Sequence, residues 1–176
     1  MEKKNLLMGL LALTMLAGCS SGTADSGSSD SGDAEPKQEE QTVSKAAVSV
    51  GETADANGVK ITVTSADTNP GTEFLTPDDG NTFLICHVKV ENATDDKLDI
   101  NPYDFKLDVN GVEQDTDLMG SSLDGVNELN MATLKKGASI EGDLAFQIPA
   151  DDSGDVTLEY YANSFFDDEP AITVKI

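Results

Sequence analysis

The chain has 176 residues, and its 33 acidic side chains outnumber its 11 basic ones, giving a formal net charge of −22 at pH 7. All the basic residues are lysines, so the chain lacks the bidentate arginine fork that grips phosphate. Nucleic acid is therefore an unsuitable partner, because its binding depends on clustered positive charge. Anionic lipid headgroups should be repelled for the same reason.

The first residues have the three parts of a bacterial export signal in the expected order. Lys3 and Lys4 come first, an apolar run follows from Leu6 to Ala17, and small residues precede Cys19. The run is shorter than the roughly 20 residues that a membrane-spanning helix needs. We therefore predict a signal peptide over residues 1–18.

The four residues from Leu16 to Cys19 resemble the lipobox of bacterial lipoproteins. This resemblance implies that Cys19 becomes the first mature residue and carries a diacylglyceryl group on its sulfur. Two acyl chains anchor a protein stably to a bilayer, so the expected location is the extracytoplasmic face of the cell membrane. The alternative is an ordinary secretory signal in which Cys19 has no role.

The chain changes character at about residue 46. Residues 19–45, which begin with Cys19, are rich in Ser, Gly, Asp and Glu, a composition typical of a disordered linker. As a flexible coil this segment would span roughly 30 Å. We therefore predict a tether over 19–45 and one folded domain over 46–176.

The domain consists of short apolar runs with the two-residue period of half-buried strands. Asn57-Gly58 and Asn110-Gly111 indicate hairpin turns, the first of them following a strand around residues 46–50, and Gly142 is a candidate β-bulge. No convincing helix longer than two turns is found. About seven strands are expected, which predicts an all-β antiparallel sandwich: they lie near residues 46–50, 59–64, 82–90, 105–109, 140–148, 156–160 and 172–176.

Five segments in this order resemble a known family: Gly58 to Thr64, Gly80 to Phe83, His87 to Asn92, Asp104 to Leu107, and Lys136 to Gly142. They resemble the telokin-like immunoglobulin-fold domain of unknown function found in Gram-positive lipoproteins. The resemblance covers most of residues 50–176 and implies an immunoglobulin-like β-sandwich. It brings no catalytic or binding residues with it. The chain departs from true immunoglobulin domains in having no tryptophan and no cysteine pair in the domain.

His87 is the only histidine and adjoins Cys86, a pairing that suggests thiol-imidazole chemistry or copper binding. Because successive strand residues point to opposite faces, the two side chains are not expected to meet. Cys86 is more simply a small core residue. Met119 and Met131 are further candidate copper ligands, although methionine more often fills a core or loop. We therefore expect no catalytic residues, no enzymatic activity and no cofactor.

Acidic loops offer a calcium site as an alternative function. Calcium takes six to eight oxygen ligands, which such loops can supply, but none of these loops matches the twelve-residue calcium motif. Solvated loops are the simpler interpretation. The candidate ligands are Asp115, Asp117, Asp151, Asp152, Asp155, Asp167, Asp168 and Glu169.

Four of the nine aromatic residues lie close together before the last strand: Tyr160, Tyr161, Phe165 and Phe166. Aromatic residues are enriched at binding surfaces, but they can equally close the open end of a sandwich. They form the candidate interaction patch. The function predicted from the sequence is a non-enzymatic interaction module held outside the membrane, for an unidentified envelope or extracellular protein or ligand. A calcium-binding structural module is the alternative.

Overall fold

A computed structural model of the protein describes residues 47–151 and 154–176. The predicted signal peptide, the tether and Cys19 lie outside these residues. Within the two ranges, no helix is long and apolar enough to cross a lipid bilayer. The strands are β1 Val48–Ser49, β2 Thr53–Ala56, β3 Val59–Asn69, β4 Asn81–Asn92, β5 Leu98–Ile100, β6 Phe105–Val109, β7 Val112–Gln114, β8 Ala132–Leu134, β9 Ser139–Pro149, β10 Val156–Tyr160 and β11 Ile172–Lys175.

Two sheets pack face to face and enclose the core. One has the order β1-β11-β10-β6-β7, and the other has the order β2-β3-β4-β9. A small third sheet pairs β5 with β8. The all-β sandwich predicted from the sequence is confirmed. All pairings between these strands are antiparallel except that of β1 with β11, which is parallel.

Both predicted Asn-Gly turns are present as hairpins. Asn57 and Gly58 have φ angles of 53° and 87°, and Asn110 and Gly111 have φ angles of 55° and 86°. Two successive positive φ angles are those of the type I′ turn, whose twist matches the strands it joins. The strand that enters the first hairpin is β2, however, and not the predicted strand around residues 46–50. That segment contributes β1, which pairs with the other sheet.

Alternate residues of the strands in both sheets form the core. The three inward residues of β6 are buried, as are Leu158 and Tyr160 of β10, while Lys106, Asp108 and Glu159 face outward between them. Cys86 of β4 is fully buried in this core, as expected. The largest side chains that are less than 2% exposed include Phe105, Phe146, Ile61, Leu107, Leu144 and Leu158.

Residues 115–131, which we call the strap, cross the outer face of the four-stranded sheet. The strap contains the four-residue helix α1, Leu118–Ser121, which contacts β9 and β4. It pairs with the edge strand β9 through backbone hydrogen bonds from Leu129 N to Asp143 O (2.9 Å) and from Asp143 N to Asn127 O (2.8 Å). It therefore occupies an edge that would otherwise be open to another chain.

The prediction of a bulge at Gly142 was wrong. The register of β4 with β9 is continuous through Val88 and Gly142, and the register shift lies instead in β3, between Val63 and Ser65. A Cβ atom at position 142 would lie 2.6 Å from the Leu129 Cα. Glycine is required there because the strap approaches the backbone closely.

Candidate functional site

The four aromatic residues predicted as one patch are divided by the structure. Tyr160 is 3% exposed and belongs to the core, where its ring centroid lies 5.0 Å from that of Phe105. Tyr161 is 6% exposed, whereas Phe165 and Phe166 are 83% and 84% exposed. Both tyrosines are therefore buried, Tyr160 because the alternation of β10 turns it inward. Only the two phenylalanines remain as the candidate patch.

Phe165 and Phe166 lie in a loop, residues 161–171, which we call the aromatic loop. Its turn is fixed by hydrogen bonds from Phe166 N to Asn163 O (3.0 Å) and from Asn163 N to Asp167 Oδ2 (2.9 Å). Ser164 Oγ donates to Asp104 Oδ1 at 2.6 Å and ties the loop to the start of β6. The two phenylalanine rings are therefore exposed on a loop whose turn is held by hydrogen bonds.

The Tyr161 hydroxyl is shared by two carboxyl groups. Its oxygen lies 2.7 Å from Glu113 Oε1 of β7 and 2.9 Å from Glu159 Oε2 of β10. A phenol has one hydrogen to donate, so the second contact becomes a hydrogen bond only when one carboxyl group carries a proton. Burial, followed by the two hydrogen bonds, raises the pKa of Tyr161 well above its usual range.

The titration of Glu159 is perturbed in the folded protein. Burial is the main cause that raises the pKa of Glu159, and the charges of Asp108 and Glu113 raise it further. The hydrogen bond from Tyr161 acts in the opposite direction. Lys106 lies opposite Glu159 in the register of β6 with β10, but its ammonium group is ion-paired with Asp115.

An open groove of about 240 Å³ lies beside the aromatic loop. One lysine faces three carboxylates there, so the lining has a net negative charge. The lining also contains the hydroxyl groups of Tyr161 and Ser164, and each of them donates a hydrogen bond to a carboxylate oxygen. The lining residues are Lys106, Glu113, Tyr161, Ser164, Asp167 and Asp168.

Cys86 and His87 point to opposite faces of β4, as the strand geometry predicts. Burial raises the pKa of the Cys86 thiol to about 12, and the charges of Asp143 and Asp67 add to the effect. His87 faces outward, where its Nδ1 lies 2.5 Å from Asp143 Oδ1. The other carboxylate oxygen of Asp143 accepts the Asn127 N–H at 2.7 Å. This pair could not be predicted from the sequence, because the two residues meet only through the register of β4 with β9.

The remaining candidate ligands do not come together in the described ranges. Met119 and Met131 are exposed, and Asp117 caps α1 by accepting the Gly120 N–H at 2.7 Å. Asp155 is ion-paired with Lys175 at 3.0 Å. Asp115 is paired with a lysine as described above, and Asp152 lies outside the described residues. No group of three or more His, Cys, Asp or Glu side chains that could hold a metal occurs in residues 47–151 and 154–176. Calcium binding remains a prediction that a melting curve with and without calcium would test.

The fold and the loop define a small β-sandwich domain with an aromatic and acidic surface at one end. The family model for a domain of unknown function, DUF4352, matches residues 48–172. The chain therefore belongs to the DUF4352 family. A comparison with curated proteins finds no match. The more specific telokin-like relationship remains a prediction.

Two solved structures from Bacillus subtilis share the fold. One is ycdA, a candidate lipoprotein, with a TM-score of 0.58 and 22% sequence identity; the match covers 70% of this chain and 38% of that one. The other is the yjhA protein, with a TM-score of 0.51 and 25% identity, covering 73% of this chain and 98% of that one. The chain thus spans much less than the full length of ycdA and nearly all of yjhA.

Proposed function

We propose that the protein is a lipoprotein anchored through Cys19 that holds a non-enzymatic binding module outside the membrane. The signal sequence, the lipobox-like residues before Cys19 and the acidic tether support the anchoring. The shared fold of ycdA, itself a candidate lipoprotein, is consistent with this role. The partner is an envelope or extracellular protein.

The observation that carries the proposal is the exposure of Phe165 and Phe166. A phenylalanine ring in water forgoes the gain of roughly 25 cal/mol per Å² of apolar area that burial would give. An aromatic side chain buries 150–250 Å² when it is covered, so two such rings offer a partner several kcal/mol. The internal hydrogen bonds of the aromatic loop reduce the cost of ordering it on binding.

The placement of the reactive side chains supports a non-enzymatic role. Only the thiolate form of cysteine is nucleophilic, and the pKa of about 12 at Cys86 keeps its buried thiol protonated at neutral pH. The single histidine, His87, points away from Cys86 and is bonded to Asp143 on the outer face of the sheet. No nucleophile and base are therefore joined through these two residues.

Crosslinking on intact cells, followed by identification of the copurified proteins, tests the proposal. The test variant is Phe165→Ser/Phe166→Ser, and the matched control is Phe74→Ser, which changes a phenylalanine that is equally exposed, at 84%, in another loop. We expect one partner to be lost with the test variant and kept with the control. The same partner recovered from both would refute this surface.

A second variant tests the anchor separately. Cys19→Ala should move the protein from the membrane fraction to the medium, because two acyl chains are what hold it in place. A Cys19→Ala protein that still sediments with membranes would contradict the anchoring. Because this variant leaves the aromatic loop unchanged, the two halves of the proposal succeed or fail independently.

A further inference from the structure

We infer that the partner of the aromatic loop presents a lysine or arginine side chain, which enters the groove beside Phe165 and Phe166. This inference rests on the proposed function and specifies the chemistry of the partner. Three separate features carry it: the hydrogen-bonding balance of the groove, its charge, and the adjacent aromatic rings.

The groove has more hydrogen-bond acceptors than donors. The Tyr161 hydroxyl supplies one hydrogen for two carboxyl groups, at 2.7 Å and 2.9 Å. The Ser164 hydroxyl is used by Asp104, and the Lys106 ammonium group by Asp115. Each of these donors therefore has an acceptor already, and the two remaining N–H groups of Lys106 are far fewer than the acceptor sites of the three carboxylates. A ligand that brings N–H groups supplies what the lining lacks, and lysine brings three and arginine five.

The charge of the groove selects the same kind of ligand. Glu113, Asp167 and Asp168 line it against the single Lys106. Asp168 is exposed, and no described residue donates a hydrogen bond or forms an ion pair to its carboxylate. An anionic lipid surface or an acidic peptide would be repelled by these groups, so the occupant is a basic protein segment.

The aromatic rings can contact both the charged head and the methylene stem of a basic side chain. Phe165 and Phe166 lie between Ser164 and Asp167, both of which line the groove. A cation held within about 6 Å of an aromatic face is attracted to it. The methylene stem of lysine or arginine also covers apolar surface while its charged head remains among polar groups. The acidic and aromatic parts of this end of the domain thus complement one side-chain type.

The probe is a basic peptide, acetyl-Lys-Leu-Lys-Leu-Lys-amide, titrated into the isotope-labelled chain from residue 19 onward carrying Cys19→Ala. The glutamate version of the peptide is the ligand control. The test variant, Glu113→Gln/Asp168→Asn, removes two charges and keeps an oxygen that accepts from Tyr161. Its matched control, Asp78→Asn/Asp79→Asn, removes two charges from an exposed loop elsewhere.

We expect the lysine peptide to shift the amide signals of the aromatic loop and of Glu113. The test variant should weaken its binding about two- to thirtyfold, as expected for the loss of two exposed charge pairs. The control variant should change binding less than twofold. Shifts spread over the whole acidic surface, equal weakening by both variants, or no localised shift at millimolar peptide would each overturn the inference.

The two proposals can fail separately. A cellular partner that is lost with Phe165→Ser/Phe166→Ser and kept with Glu113→Gln/Asp168→Asn would leave the binding function standing and refute the basic partner. A cellular partner kept by both variants would refute the proposed surface itself. Binding of the lysine peptide that is insensitive to the phenylalanine substitutions would show that charge alone attracts it, which would overturn the combined site.

Discussion

Replacing Glu159 by glutamine is expected to stabilise the domain at neutral pH. In the native protein two carboxyl groups compete for the one hydrogen of Tyr161. The amide of a glutamine at position 159 would donate its own hydrogen to the Tyr161 oxygen, leaving the hydroxyl hydrogen for Glu113. The substitution also removes a charge that burial and the nearby Asp108 and Glu113 disfavour.

The size and the pH dependence of this gain follow from the structure. One added hydrogen bond contributes about 1 kcal/mol, which is roughly 2–4 °C in Tm for a domain of this size. Because the pKa of Glu159 is raised in the folded protein, the folded state binds the proton more tightly than the unfolded state. Stability is therefore lost as the pH rises from the unfolded value of about 4.5 through the folded value. The advantage of Glu159→Gln should therefore be smaller at pH 5 than at pH 8.

Urea denaturation at pH 5 and pH 8 measures this difference. The control Glu73→Gln removes the same charge from an exposed loop, and the background variant Tyr161→Phe removes the shared hydroxyl. A gain that equals that of Glu73→Gln, that is the same at both pH values, or that persists in the Tyr161→Phe background would refute the shared-hydrogen argument.

Three further predictions concern packing. Tyr160→Ala should cost about 3–5 kcal/mol in the free energy of unfolding, whereas Phe165→Ser/Phe166→Ser should change it by less than about 0.5 kcal/mol; equal losses would contradict the assigned burial. Gly142→Ala should destabilise the domain by about 1–3 kcal/mol and speed hydrogen exchange in the strap, because its Cβ would overlap the strap backbone. The Cys86 thiol should react with iodoacetamide only after unfolding in urea, and rapid labelling of the native protein would show that the thiol is accessible.

The sequence predicted the elements that local chemistry determines. The Asn-Gly pairs adopt the positive φ angles that few other residues tolerate, so both hairpin turns were found. The strict alternation in β6 and β10 likewise predicted their positions and their buried faces. The short strands β2, β5, β7 and β8, of three or four residues each, were missed because such lengths carry little periodicity.

The candidate site was only partly predictable, because its contacts join distant parts of the chain. Glu159 and Tyr161 are two residues apart at the end of β10, so continuing the alternation of that strand by one residue would have predicted their contact. Glu113 is 48 residues from Tyr161, and their contact depends on the pairing of β6 with both β7 and β10. Tyr161 is buried and Phe165 is exposed. This difference depends on the conformation of the aromatic loop, which the composition does not specify.

The parallel pairing of β1 with β11 determines the end of the domain at which the chain enters it. Because Val48 lies beside Val174 and both strands run the same way, the chain enters the sandwich at the end where the aromatic loop leads into β11. The C-terminal Ile176 lies at the opposite end, where its N–H bonds to Val156 O at 2.9 Å. A fluorescent or affinity tag fused after Ile176 would leave the aromatic loop accessible, whereas one inserted just before β1 would crowd it. The aromatic loop and the residues that precede β1 therefore lie at one end of the domain, and Ile176 lies at the other.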